Sequence, residues 1–231
     1  MAKTAPSRSR VRTVRPRTAA ERAARTGKLI EVLDSTYPHP AIPLTHRNAW
    51  ELLVATILSA QCTDKVVNEV TPGLFQKYPT MTDFANASQD EMAQDLRRTG
   101  FFNNKARSVI GAAKKILADF GGEVPRSMEE LLTVPGAARK TANVVLGGAF
   151  GINSGIVVDT HVQRLSFRLD LTKNTDPVKI EQDLVKIVPR DHWRDFGLQL
   201  IYHGRALCYA RKPRCAECPL DPLCYSKDKT N

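Results

Sequence analysis

The chain has 231 residues, of which 42% are hydrophobic and 25% are charged, so it is long enough to bury the core of one or two soluble domains. Its formal net charge of +10 predicts a polyanionic partner. Residues 1–28 hold nine basic side chains and one acidic one, a net of +8, which leaves +2 for the rest of the chain. Any nucleic-acid surface on the body is therefore expected to be a local patch.

The sequence also argues against a membrane or secreted protein. No run of about 18 uninterrupted apolar residues occurs, because the nearest candidate, residues 141–158, contains four Gly, two Asn, a Ser and a Thr. The N-terminal region lacks the apolar segment of a secretory signal. Five cysteines, four of them crowded between Cys208 and Cys224, favour metal ligation in a reducing compartment over a disulfide framework. We therefore expect a cytoplasmic protein.

The N-terminal stretch, residues 1–20, is rich in Arg, Ser and Pro and poor in apolar residues, which predicts a disordered basic arm. Such an arm fits a solvated tail, a nonspecific tether to DNA, or an organelle transit peptide. From Thr18 the pattern becomes helical, with Leu29, Ile30 and Leu33 on one face, and Pro38-His39-Pro40 ends it.

The rest of the chain reads as a succession of short helices separated by Gly- and Pro-containing turns. Thr63 or Asp64 can cap the second helix of this succession. No segment alternates convincingly as a strand, and no solenoid repeat is present, so the fold class is all-α. In chain order the predicted helices cover residues 46–60, 65–78, 81–86, 89–99, 105–120, 127–133, 141–150, 160–169, 177–188 and 192–207.

The most informative stretch is residues 132–159, where an apolar run ends at Pro135-Gly136 and a second apolar helix opens. The N-terminus of such a helix attracts anions, because its free N–H groups and the helix dipole are positive. Lys140 lies in this first turn, where the dipole disfavours a cation. The position is poor for a structural lysine and good for a reactive one, although an exposed surface lysine is the ordinary interpretation.

The cysteines follow the spacing C-x6-C-x2-C-x5-C, and four thiolates within 17 residues can close around one metal centre. Their spacing alone leaves zinc and a [4Fe–4S] cluster both open. Three cations lie between the first two cysteines and can contact phosphates, or form a solvated basic loop: Arg211, Lys212 and Arg214. Cys62 lies far from the four, and we expect it to be a small core residue.

Five motifs in order give a resemblance: LSAQCTD, VPGAARKTANVVLGGAFG, VDTHVQRL, HGRALC and the cysteine spacing. Together they resemble the endonuclease III family, helix-hairpin-helix DNA glycosylases with lyase activity, over residues 28–225. The resemblance implies two helical lobes with a DNA-binding cleft between them, a [4Fe–4S] cluster rather than zinc, and a monomer in the bacterial nucleoid. It divides the chain into an arm at 1–27, a six-helix lobe at 42–152 with the helix-hairpin-helix at about 127–150, and a cluster lobe at 28–41 plus 153–231.

The resemblance also implies roles for single residues. Lys140 matches the family nucleophile, and its pKa is expected to be lowered by the helix terminus and partial burial. Asp159 matches the catalytic aspartate, although its own sequence context also predicts an N-cap. Gln61 matches the residue that enters the base stack, and Phe101 an apolar wedge; a loop glutamine and a core phenylalanine are the ordinary alternatives. Cluster ligands and hairpin contacts are implied for Cys208, Cys215, Cys218, Cys224, Pro135, Gly136, Ala138 and Arg139.

One position departs from the family pattern. The family hairpin usually reads PGVG, whereas this chain has Ala138 in place of the second glycine. If that position required a positive φ, alanine would cost about 1 kcal/mol and would bring a methyl group toward the phosphates. We therefore expect Ala138→Gly to tighten DNA binding.

These features predict a bifunctional glycosylase and AP lyase that removes oxidised pyrimidines from duplex DNA in base excision repair. A monofunctional mismatch glycosylase is the nearest alternative enzyme, and Lys140 argues against it, because such enzymes lack the hairpin lysine. A DNA-binding iron–sulfur protein that has lost turnover is the alternative of another class, and Ala138 is the feature that favours it.

Overall fold

A computed structural model of the chain describes residues 15–230. Over this range the chain is helical and has no β-strand, which confirms the predicted all-α class. Short 3-10 helices cover Arg97–Thr99, Arg190–His192, Cys215–Glu217 and Asp221–Leu223. The α-helices are α1 (Ala19–Thr36), α2 (Ala49–Leu58), α3 (Asp64–Lys77), α4 (Met81–Asn86), α5 (Gln89–Asp95), α6 (Phe102–Phe120), α7 (Met128–Leu131), α8 (Arg139–Ala149), α9 (Thr160–Arg168), α10 (Pro177–Ile187) and α11 (Trp193–Ala206).

Most helices begin at a side-chain cap, as the sequence signals predict. The side chain of the preceding residue accepts a backbone N–H at Thr18, Asn48, Thr63, Thr80, Ser127, Asp159 and Asp176. The N-cap residue of α8 is Ala138, which has no side-chain oxygen and forms no such cap. The first-turn N–H groups of α8 are therefore not satisfied by a capping side chain.

The chain divides into two compact units. The unit Ala41–Val157, called the hairpin unit below, holds α2 to α8. Its core is built from apolar side chains of several helices, among them Leu52, Leu53, Phe84 and Ile116, all fully or almost fully buried. Helix α8 packs closely against this core, since a Cβ at Gly148 would overlap the side chains of Ile42 and Leu52.

The other unit, called the cysteine unit below, joins residues 15–40 to residues 158–230. It contains α1, α9, α10, α11 and the cysteine loop. Arg25 of α1 is buried and donates hydrogen bonds to the carbonyl oxygens of Leu169 and Leu223, and its guanidinium lies 4.5 Å from the ring centre of Tyr225. One arginine therefore links α1 to the end of α9 and to the loop that carries the last cysteine.

The helix predicted from Thr18 is confirmed, since α1 covers Ala19–Thr36, and the arm predicted at residues 1–27 is therefore wrong for residues 19–27. Thr18 and Glu21 form a reciprocal capping box, and Arg25 and Thr26 are buried, so tertiary contacts order this part of the basic segment. The remaining predicted arm, residues 1–14, lies outside the described residues. Among residues 15–230, no helix is both long and apolar enough to cross a bilayer.

Candidate active site and cysteine loop

The turn between α7 and α8 has a geometry that its sequence requires. The N–H of Ala137 donates to the carbonyl of Val134 at 3.0 Å, which closes a four-residue turn around Pro135 and Gly136. Gly136 has φ +79°, as the third position of a type II turn demands, and proline suits the second. A Cβ at Gly136 would lie 2.9 Å from Cβ of Ser108. Only glycine satisfies both the backbone angle and this close approach to α6.

Ala138 is not strained, which corrects the expectation drawn from its departure from the family pattern. Its φ is −79° and its ψ is 170°, an extended conformation that any residue adopts. The left-handed position in the hairpin is Gly136, two residues earlier. The proposed strain at Ala138 is therefore wrong, and the argument that its methyl crowds a phosphate stays a prediction.

Lys140 is the second residue of α8, and its side chain is exposed. The expectation of partial burial is therefore wrong for the protein without DNA. Arg139, which precedes it, is half-buried. The uncapped start of α8 thus presents backbone N–H groups, one half-buried arginine and one exposed lysine together, an arrangement suited to an anion such as phosphate.

Asp159 is half-buried and is the N-cap of α9 in the cysteine unit. Its Oδ1 accepts the backbone N–H groups of both His161 and Val162 at 2.8 Å. The capping interpretation is therefore confirmed. Because both capping bonds use the same oxygen, the second carboxylate oxygen is not required for the cap, and a capping role and a chemical role are compatible.

Gln61 and Phe101 share an unusual backbone conformation, with φ +53° and +48° respectively. Both lie in the hairpin unit, in the loops that precede α3 and α6. Phe101 is 61% exposed, so the alternative of a core phenylalanine is wrong. Strained backbone of this kind persists where surrounding structure enforces it, often at functional sites. Positive φ also occurs at the described non-glycine residues His39, Asp170 and Lys212.

The basic loop between the first two cysteines is only partly available for phosphate contacts. Arg211, Lys212 and Arg214 are all exposed. Arg214, however, donates from Nε and Nη2 to the two carboxylate oxygens of Glu217, at 2.8 and 2.5 Å. This ion pair offsets the charge of Arg214, so Arg211 and Lys212 are the stronger candidates for contact with DNA.

The four cysteines of the cysteine unit line one pocket, together with apolar side chains such as Leu165 and Leu220. No three His, Cys, Asp or Glu side chains among residues 15–230 converge closely enough to hold a single metal ion. Four cysteine thiolates are a donor set that both a structural zinc ion and a [4Fe–4S] cluster accept. Cys62 instead lies half-buried against the core of the hairpin unit, as expected.

Two side chains outside the cysteine motif place nitrogen atoms within hydrogen-bond distance of its sulfurs. Arg168 Nη1 lies 3.2 Å from Sγ of Cys208, and His203 Nε2 lies 3.2 Å from Sγ of Cys218. Burial raises the pKa of the Cys218 thiol to about 12. Buried thiols of this kind need positive charge to become ligands, and a metal centre supplies it. The donor set and its surroundings therefore fit an iron–sulfur cluster.

Sequence reasoning did not identify the arginines of α9 that hold this loop. Arg164 donates to the carbonyls of Cys208 and Gly204, and Arg168 donates to those of Tyr209 and Ala210. Arg164 and Arg168 are four residues apart and therefore lie on one face of the helix. This spacing is the sequence signal that could have identified them. Buried arginine is rare without partners, and here backbone carbonyls of the loop are the partners.

Comparisons with known proteins agree with this geometry. Residues 54–190 match the model of the HhH-GPD superfamily of base excision DNA repair proteins. Endonuclease III of Synechocystis is 53% identical over 210 residues, which cover 91% of this chain and 96% of that protein.

Two solved structures also match, each with 40% identity over 88% of this chain and 95% of the matched one. One is a non-covalent complex of an endonuclease III with DNA, at a TM-score of 0.83. The other is a trapped covalent intermediate of an endonuclease III with DNA, at 0.84. The chain belongs to the endonuclease III family of the HhH-GPD superfamily.

Proposed function

We propose that this protein is a bifunctional DNA glycosylase and AP lyase that removes oxidised pyrimidines from duplex DNA in base excision repair. The observation that carries the proposal is the exposed Lys140 in the first turn of α8, a helix without a side-chain cap behind a type II hairpin turn. Relatives that match most of the chain include endonuclease III proteins, and an endonuclease III has been trapped in a covalent intermediate with DNA.

In this proposal the neutral amine of Lys140 attacks C1′ of the damaged nucleotide, and the bond to the base breaks as the base leaves with its electrons. The amine then loses its protons, and the C1′–O4′ bond breaks as O4′ takes up a proton, so that the sugar ring opens and an imine forms at C1′. The imine makes a C2′ proton acidic, and its removal expels the 3′ phosphate oxygen by β-elimination. An exposed lysine on a rigid helix is accessible to a sugar, and the first-turn N–H groups beside it can bind the adjacent phosphate.

Asp159 is proposed to stabilise the positive charge that develops on the sugar, or to assist proton transfer. Its capping bonds support this role, because they fix the carboxylate through Oδ1. A carboxylate held in this way is available without reorganisation when the charge develops.

DNA contacts are proposed for Gln61 and Phe101, which would fill the gap left by a flipped nucleotide. The exposed ring of Phe101 supports this role, because an apolar ring in water gains stacking energy when it meets a base. Pro135, Gly136, Ala138 and Arg139 are proposed to bind the phosphate backbone at the hairpin. Arg211 and Lys212 would add charge, while Arg214 contributes less because it pairs with Glu217.

A [4Fe–4S] cluster is proposed as the resident cofactor, held by Cys208, Cys215, Cys218 and Cys224. The shared pocket, the N–H donor of Arg168 and the ring nitrogen of His203 beside the sulfurs support this assignment. When bound, such a cluster supplies four iron–thiolate bonds that fix the loop between α11 and the C-terminus. The protein is proposed to act as a monomer in the bacterial cytoplasm, associated with the nucleoid.

A product assay on duplex DNA containing thymine glycol tests the function. The proposal expects both free base and a strand nicked 3′ to the lesion. Release of base with an intact strand would identify a monofunctional glycosylase instead. Binding without either product would identify a noncatalytic module, and each of these two results contradicts the proposal.

A further inference from the structure

Lys105 is a buried cation in the hairpin unit that none of the proposed chemistry uses. It lies in the first turns of α6 and is only 5% exposed. Its Nζ donates a hydrogen bond of 2.7 Å to the carbonyl oxygen of Thr99, which is itself buried. A buried ammonium is costly unless it is partnered, and an apolar side chain would fill the same space more cheaply. The position therefore calls for an explanation beyond packing.

The bonds of Lys105 surround the strained residue Phe101. Its ammonium binds the carbonyl of Thr99, two residues before Phe101, and its backbone N–H donates to the carbonyl of Phe101 itself at 3.0 Å. Between these bonds the chain passes through Gly100 at φ +67° and Phe101 at φ +48°. Lys105 thus makes hydrogen bonds on both sides of the left-handed turn that carries the exposed ring of Phe101.

The same ammonium lies near the second strained loop. Cys62, which follows Gln61 directly in the chain, is near enough to affect the pKa of Lys105. Burial lowers the pKa of Lys105, and the neighbouring Cys62 opposes that shift. Lys105 therefore lies close to both loops whose outer residues, Gln61 and Phe101, adopt a left-handed backbone.

We propose that Lys105 is a positioning residue that holds the Phe101 turn, and the Gln61 loop beside it, in the conformation that inserts these side chains where a nucleotide has been flipped out. The inference rests on the proposed function, because it needs the insertion roles assigned to Gln61 and Phe101. It predicts that loss of the ammonium weakens binding to a duplex with a missing base and leaves binding to an intact duplex nearly unchanged. The phosphate contacts proposed for the hairpin are made by other residues, Pro135, Gly136, Ala138 and Arg139.

The test uses the full-length protein with its cofactor and a duplex that carries an abasic-site analogue opposite 2-aminopurine. Lys105→Met removes the ammonium at similar length, and Lys105→Gln keeps a shorter donor. Lys114→Met, an exposed lysine on the same helix, is the matched control. The readouts are the ratio of Kd values for undamaged and abasic duplexes, and the 2-aminopurine fluorescence that reports unstacking opposite the gap.

Lys105→Met is expected to lower the ratio of Kd values, undamaged over abasic duplex, about tenfold, because loss of one base-stacking contact weakens binding by about this factor. The fluorescence rise should shrink in parallel, Lys105→Gln should lie between wild type and Lys105→Met, and Lys114→Met should match wild type. In a Phe101→Ala background the Lys105→Met change should add little, because the two act through one contact. An unchanged preference, or equal losses on both duplexes, would overturn the positioning role.

Parallel single variants separate this inference from the proposed function. If Phe101→Ala loses the preference while Lys105→Met and Lys105→Gln keep it, the positioning role is overturned and the insertion roles survive. If Phe101→Ala and Gln61→Ala both keep the full preference, the insertion roles are wrong, and the inference about Lys105 falls with them. Lyase activity on an abasic site, measured separately, reports whether the function itself stands.

Discussion

At the scale of single residues, Gly136 is the hairpin position that requires a left-handed backbone. The sequence had suggested Ala138 instead, but Ala138 is extended. Gly136→Ala should destabilise the protein, because its φ of +79° costs an L-residue about 1–2 kcal/mol and its new Cβ would meet Ser108 at 2.9 Å. Ala138→Gly is the matched control, and its free energy of unfolding should change by less than about 0.5 kcal/mol, since Ala138 is extended. Urea unfolding measures both. Equal effects of the two substitutions would contradict this assignment of the left-handed position.

Asp159 allows a second residue-scale prediction, because its cap and its proposed chemistry can be separated. Asp159→Asn keeps an oxygen that can accept the N–H groups of His161 and Val162, so the stability should stay within about 0.5 kcal/mol of wild type. Asp159→Ala should lose about 1 kcal/mol through loss of the cap. Both variants should lose most of the base-release activity, measured as single-turnover rate. If Asp159→Asn retained full activity, the charge of the carboxylate would have no role.

Sequence reasoning reached some of these residues and not others for physical reasons. Helix α4, Met81–Asn86, was predicted to its limits because Thr80 caps it and a short polar break follows. The φ angle of Ala138 was misjudged, since a hairpin motif does not state which of its residues is left-handed. Lys105 was missed because a lysine in a helix is usually exposed, and only its tertiary contact with Thr99 reveals its burial.

At the scale of elements, α9 connects two parts of the proposed site. Asp159 caps its N-terminus, and Arg164 and Arg168 in its later turns bind the cysteine loop. The sequence identified the four cysteines and left their metal open, because spacing does not determine how far apart the sulfurs lie. The contacts of Arg164 and Arg168 with the loop carbonyls arise from tertiary packing of α9 on the loop. No local pattern encodes the partner of such a side chain.

Arg168→Met should therefore weaken retention of the cluster. The substitution removes the N–H donor to Cys208 Sγ, the bonds to Tyr209 and Ala210, and the ion pair with Asp228. We expect faster loss of iron to a chelator, measured as decay of the visible absorbance and as iron content per protein. Lys186→Met, an exposed change on α10, serves as the control. Iron loss at the wild-type rate would show that Arg168 does not support the loop.

At the scale of the whole molecule, the positive charge is concentrated near the N-terminus, since residues 1–28 carry a net charge of +8 and the rest of the chain +2. Deleting residues 1–14 removes Lys3, Arg8, Arg10 and Arg12 and spares the capping box of α1. If these cations contact phosphates, the slope of log Kd against log salt should fall by up to about 3.6, at about 0.9 per contact. Titrations of undamaged duplex at several salt concentrations measure this slope. An unchanged slope would rule out a DNA-tethering role for the segment.

The central claim, that Lys140 is the nucleophile, is tested most directly by borohydride trapping on duplex DNA that contains an abasic site. Borohydride reduces the imine between enzyme and sugar to a stable bond, so the wild-type protein should give a covalent adduct that peptide mapping places on Lys140. Lys140→Gln should give no adduct, while Lys114→Gln, an exposed lysine on α6, should give the wild-type amount. An adduct of undiminished yield in Lys140→Gln, mapped to another amine, would contradict the account.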